Sequence, residues 1–149
     1  MLENYLKAIT LIEKINRQAL NNMKYDLTRQ GAKDINDVQS FIFYKIGDKK
    51  LSVGELFQKE CYLGSNVSYN LRKLVQNGYV LQEPNKYDRR GSNVSLTEKG
   101  FNLFDELNNI FEKKSNSSSQ IGFDDEKFDH LNKLLVEFEK VLIDQSITF

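Results

Sequence analysis

The chain has 149 residues, 28% of them charged and 40% hydrophobic. These are the proportions of one globular domain, large enough to bury about 68–70% of its unfolded surface. One Cys excludes an internal disulfide, and one Cys with one His excludes a conventional zinc site of about four ligands. No apolar run approaches the ~20 residues of a membrane span, and the opening Met1-Leu2-Glu3-Asn4-Tyr5-Leu6-Lys7 does not read as a signal peptide. An intact cytoplasmic chain with no metal, no cofactor and no membrane partner is expected.

Lys and Arg total 21, as do Asp and Glu, so the formal charge is zero. The charge is unevenly placed. Residues 1–50 carry nine basic against six acidic side chains, residues 51–99 seven against five, and residues 100–149 five against ten. A basic two-thirds joined to an acidic third permits a local positive footprint that the total conceals.

Residues 2–30 lack Gly and Pro, and Leu2, Leu6, Ile9, Ile12, Ile15, Ala19, Met23 and Leu27 recur in steps of three and four. That spacing predicts a helix about 40 Å long. A chain of this size has trouble covering it alone, so it reads as shared with a second subunit. Asp34 is expected to open a second helix, with Asp37 in its first turn and Gly47 as its stop. Ser52-Val53-Gly54-Glu55 has the pattern of a capping box and starts a short helix that ends near residues 61–64. Ser65 is expected to cap the next helix, whose apolar stripe is Val67, Leu71, Leu74 and Val75 and whose stop is Asn77-Gly78.

Residues 79–83, closed by Pro84, and residues 92–96 read as a two-stranded hairpin around a polar tip. Thr97 then caps a helix over about residues 98–114, followed by a flexible polar loop at residues 115–120. A last helix begins near Asp124. Phe101, Phe104, Phe111, Phe128 and Phe138 are expected in the core. This order predicts a mainly α fold with a small β-hairpin wing: a winged helix-turn-helix lobe flanked by N- and C-terminal helices. Residues 1–149 read as one domain, with the lobe at residues 34–97 and dimerisation helices at residues 1–33 and 98–149.

The helix after Ser65 carries the first candidate site. Its outer face presents Asn66, Ser68, Tyr69, Arg72, Lys73 and Gln76. Short hydrogen-bonding side chains come first and positive charge follows, as on a helix that offers its N-terminal end to base edges and its cations to phosphates. Asn can pair with adenine and Arg with guanine in bidentate fashion. Asp88-Arg89-Arg90 at the hairpin tip is the second site. Adjacent Arg residues on a turn can enter a narrow minor groove, with Asp88 expected to fix one guanidinium through paired hydrogen bonds.

The segments Leu51-Ser52-Val53-Gly54-Glu55-Leu56, Gly64-Ser65-Asn66-Val67-Ser68-Tyr69, Asn77-Gly78-Tyr79-Val80, Asp88-Arg89-Arg90 and Ser95-Leu96-Thr97-Glu98-Lys99-Gly100 resemble the MarR family of bacterial winged helix-turn-helix transcriptional regulators. The resemblance covers about residues 38–107. It implies a homodimer that binds double-stranded DNA; a repressor is expected, and two-fold symmetry predicts a pseudo-palindromic operator. Ser65 to Lys73 align with the recognition helix, and Asp88 and Arg90 with the wing pair, Arg89 lying beside them. The resemblance also implies that a small-molecule effector, of identity unknown, acts between dimer hub and lobe. Two positions depart from the family pattern: Asn70 replaces an apolar residue, and Tyr69 replaces a residue that is commonly basic.

The alternative is a winged-helix protein-interaction module that does not read DNA. An enzyme is not expected, because no phosphate loop, nucleophile elbow or paired-carboxylate motif is present. Cys61 and His130 are assigned packing and surface roles.

Overall fold

The computed structural model describes residues 1–57, 64–88 and 90–148. Helix α1 spans Leu2–Arg29, α2 Asp37–Ile46, α3 Val53–Glu55, α4 Gly64–Gln76, α5 Glu98–Gln120 and α6 Asp125–Thr148; strands are β1 Leu51–Ser52, β2 Val80–Pro84 and β3 Ser92–Leu96. The chain divides into two compact units, Met1–Asn108 and Asn109–Phe149.

In the first unit α1 ends as its periodicity predicts. Gly31 takes φ 85°, the Ala32 amide bonds the Leu27 carbonyl and the Gly31 amide bonds that of Thr28, which is a Schellman stop. Within α1 only Asp26 and Leu27 are buried, while Leu2, Leu6, Leu11, Ile12 and Ile15 are exposed. Helix α2 is capped two residues later than the sequence suggests. Asn36, not Asp34, is its cap: Asn36 Oδ1 accepts the Gln39 amide and Gln39 Oε1 accepts the Asn36 amide. Asp34 turns elsewhere, its carboxylate accepting the Tyr79 hydroxyl at 2.7 Å.

The expected hairpin is present, but the sheet has three strands in the order β1-β3-β2, all antiparallel. Val94 in the middle strand is opposed by Leu51 on one side and Gln82 on the other, and is fully buried. Leu27, Ile42, Phe43, Ile46, Leu56, Leu74, Val80, Val94 and Leu107 form the centre of the core. Helix α5 is docked by a close approach at Gly100: a β-carbon there would overlap the Tyr79 carbonyl oxygen. Thr97 caps α5 as expected, its hydroxyl oxygen accepting the Gly100 amide at 3.1 Å and donating to the Gly78 carbonyl at 2.5 Å.

Residues 115–120 are helical, not a loop. No Gly or Pro interrupts them, and the Ser118 hydroxyl is satisfied by the Lys114 carbonyl one turn back. The helix stops only at Gly122, φ 85°, where the Phe123 amide bonds the Ser118 carbonyl. In the second unit Asp124 caps α6 through the Lys127 amide at 3.1 Å. No residue of α6 is buried, and Phe128, Leu131, Leu134, Leu135 and Val141 are exposed. The five phenylalanines expected in the core do not fill it: Phe101 and Phe128 are exposed and Phe104, Phe111 and Phe138 half-buried, while Phe43 is the fully buried aromatic.

Candidate nucleic-acid interface

The interface begins with how α4 is mounted. Val67, Leu71 and Leu74 are buried, so the spacing of four and three turns the polar residues outward. Asn66, Ser68, Tyr69, Arg72 and Gln76 are exposed and Lys73 half-buried. The Lys73 ammonium lies 5.7 Å from the centre of the Tyr69 ring, which places a cation over an aromatic face. The helix starts at Gly64, so Ser65 lies within its first turn and is not the cap; the Ser65 side chain is outside the described residues.

One residue departs from the expected division of faces. Asn70 is 5% exposed and points into the protein, opposite Gln39 of α2, which is 6% exposed. The two amides join in a directed series. The Asn36 amide donates to Gln39 Oε1 at 3.1 Å, Gln39 Nε2 donates to Asn70 Oδ1 at 3.2 Å, and Asn70 Nδ2 donates to the Asn66 carbonyl at 2.8 Å. Every buried polar side-chain atom among the described residues has a partner.

Helix α4 ends in a second Schellman stop, with Gly78 at φ 82° and the Tyr79 amide on the Leu74 carbonyl. Only Asn77, Gly78 and Tyr79 separate α4 from β2. Tyr79 is 4% exposed and packs edge-on against Phe43, with ring centres 6.1 Å apart. Burial raises the pKa of its phenol, and the Asp34 hydrogen bond and charge raise it further. Burial also raises the pKa of Tyr44, whose hydroxyl donates to Asn108 at 2.8 Å.

The wing tip is organised by its own backbone. Gly91 and Asn85 close it, with the Asn85 amide on the Gly91 carbonyl at 2.9 Å. Asp88 Oδ1 accepts the Arg90 backbone amide at 3.0 Å. Asp88 thus steadies the turn through the main chain; no ion pair with Arg90 is present among the described residues, and a guanidinium contact to Arg89 falls outside them. The Arg90 side chain is exposed. Arg89 lies outside the described residues. Tyr87 beside them is 99% exposed, a contact-capable aromatic that the sequence analysis passed over although it stands alone in a polar turn.

A cleft of about 510 Å³ opens beside the docked end of α5, lined in part by Gln30, Tyr79, Glu98, Asn102 and Glu106. Among the described residues no group of three or more His, Cys, Asp or Glu side chains is placed to hold a metal ion, and no helix is long and apolar enough to cross a membrane. Cys61 lies outside the described residues, and His130 is exposed on α6.

Residues 36–100 match the model of a winged helix DNA-binding domain. The exopolysaccharide II synthesis transcriptional activator ExpG of Rhizobium meliloti is 33% identical over 102 residues, 68% of this chain and 53% of that protein; the chain spans about half the length of this curated relative. A MarR protein from Peptoclostridium difficile superposes with a TM-score of 0.73 at 20% identity, over 93% of this chain and 88% of that one. Streptococcus pneumoniae FabT, solved in complex with DNA, superposes with a TM-score of 0.70 at 22% identity, over 95% and 99%. Residues 36–100 thus match a winged helix DNA-binding domain, and the chain has the fold of solved MarR-type transcription regulators.

Proposed function

We propose that the chain is a sequence-specific regulator of transcription that binds double-stranded DNA as a homodimer on a pseudo-palindromic operator. The observation that carries this is the outer face of α4, where Asn66, Ser68, Tyr69 and Arg72 are exposed over a buried apolar stripe. Side chains of this kind at the N-terminal end of a helix read base edges in the major groove. Ser65 belongs to that end by position. Lys73 completes the helix contacts on phosphate, and Arg89 and Arg90 enter the minor groove from the wing while Asp88 holds the turn.

The exposed apolar residues of α1 and α6 support the dimer, since faces of this kind are covered by a partner. Residues 1–33 and 98–149 act as dimerisation helices and residues 34–97 as the DNA-binding lobe. Two-fold symmetry then sets half-site centres about 34–36 Å apart. A dimer seated over a promoter excludes polymerase, so repression is the expected sign. The name of the Rhizobium relative is that of an activator, and a promoter reporter separates the two. The cleft beside Tyr79 is where a small-molecule effector would act, because it adjoins the connection from α4 to α5. Cytoplasmic placement fits a protein that works on DNA.

Selection from a randomised duplex pool at two salt concentrations tests the proposal. Recovery of an inverted repeat, bound more weakly as salt rises, is the expected result. A folded dimer that enriches no sequence would turn attention to protein partners.

A further inference from the structure

We infer that Gln39 and Asn70 are positioning residues for DNA reading: their buried hydrogen bond sets the angle at which α4 presents Asn66 and its neighbours. The inference rests on the function proposed above and names the device on which its sequence selectivity depends.

Apolar side chains alone would hold α4 on α2 with little preference for rotation. Hydrophobic contact is non-directional, and packed helices tolerate a spread of angles. A hydrogen bond between two planar amides is directional and weakens steeply off axis. Here both ends are anchored. Gln39 cannot turn freely because its Oε1 accepts the Asn36 amide at the start of α2. Asn70 cannot turn freely because its Nδ2 donates to the Asn66 carbonyl. Reversing either amide would set two donors or two acceptors face to face. The 3.2 Å bond between them therefore joins two fixed groups across a buried interface, and one orientation of α4 satisfies all three contacts. The series ends on the backbone of Asn66, whose side chain is exposed at the reading end of the helix.

The position of Asn70 supports a role beyond stability. A buried amide pair contributes little net energy relative to apolar groups of the same shape. Leu at 70 and Met at 39 would fill comparable volumes without a desolvation penalty. Retaining polar groups at such a site fixes geometry.

The test is a double-mutant cycle with the near-isosteric substitutions Gln39→Met and Asn70→Leu. The quantity read is the ratio of affinities for the duplex selected by the unaltered chain and for its scrambled counterpart. Either single substitution is expected to lower that ratio by about tenfold to a hundredfold, the size of one mismatched base pair. The double variant is expected to lower it no further, with scrambled-duplex affinity and salt dependence unchanged. The double variant leaves neither side-chain amide of the pair unpaired and loses the capping bond to the Asn36 amide that Gln39→Met also loses, so it melts no lower than Gln39→Met alone and stays folded. A folded double variant with the full ratio would overturn the inference, and so would single losses that multiply. An unaltered chain whose ratio is near one would overturn the proposed function itself, and the inference with it.

Discussion

The carbonyl oxygen of Tyr79 occupies the space that a β-carbon on Gly100 would need. The same oxygen accepts the Thr97 amide at 3.1 Å, so it is held from two sides and cannot easily yield. Helix α5 lies against the turn after α4 because residue 100 has no side chain. Gly100→Ala is expected to destabilise the folded chain by about 1–3 kcal/mol, the usual cost of forcing extra volume into a packed site. Urea titrations at matched protein concentration measure it. An unchanged midpoint would show that α5 can shift without cost.

Tyr79 also carries a pH signature. Its pKa is raised chiefly by burial, with Asp34 adding to the effect. Below about pH 10, the ordinary phenol range, folded and unfolded chains both hold the proton and the stabilising contribution is complete. Above it the unfolded chain ionises first, so stability falls as pH rises toward the raised folded value. Tyr79→Phe is expected to flatten that fall. Absorbance titration should find Tyr79, and Tyr44, whose pKa is also raised by burial, ionising above the ordinary phenol range.

Charge reversal at the wing separates DNA reading from folding. Arg90 is exposed and its side chain contributes nothing to the core. Arg90→Glu is expected to weaken selected-duplex binding about tenfold or more and to leave the melting temperature and dimer unchanged. Sedimentation and fluorescence anisotropy on one preparation give both readings.

Salt dependence counts the phosphate contacts. If Arg72, Lys73, Arg89 and Arg90 of both subunits each displace a counterion, the slope of log affinity on log salt is about −7. Arg72→Ala should reduce its magnitude by about two per dimer, at roughly 0.9 per phosphate. A slope that does not move would remove Arg72 from the interface.

Ile15 tests the dimer. It is 64% exposed on α1, and burying such a side chain stabilises association by about 1.5–3 kcal/mol. Ile15→Asp is expected to shift the dimer toward monomer by more than tenfold in sedimentation equilibrium, with the α4 lobe still folded.

Long amphipathic helices and the hairpin were legible in the sequence because their signals are local. The run without Gly or Pro gave α1, and Asn77-Gly78 gave the stop of α4. The α2 start was legible too, but the stronger signal lay at Asn36 with Gln39 three residues on, not at Asp34. Strand β1 is two residues long, too short for alternation to register. The serines at 115–119 favour loops by composition, yet no Gly or Pro interrupts them before Gly122 and the Ser118 hydroxyl is satisfied inside the helix at the Lys114 carbonyl. Asn70 read as an irregularity on an apolar stripe, because its partner Gln39 is 31 residues away in the chain and pairing at that distance leaves no local pattern. The outward set on α4 was legible from periodicity alone.

The three residues between α4 and β2 fix more than a turn. With Gly78 locked in a left-handed stop and Tyr79 buried, there is no slack between α4, proposed to read one groove, and the wing, proposed to reach the next. The distance between the two sets of base pairs in a half-site is thus a property of the protein, like the spacing of teeth on a key. Operators can vary in sequence at positions the protein ignores, but an inserted base pair between the α4 contact and the wing contact should abolish selective binding outright.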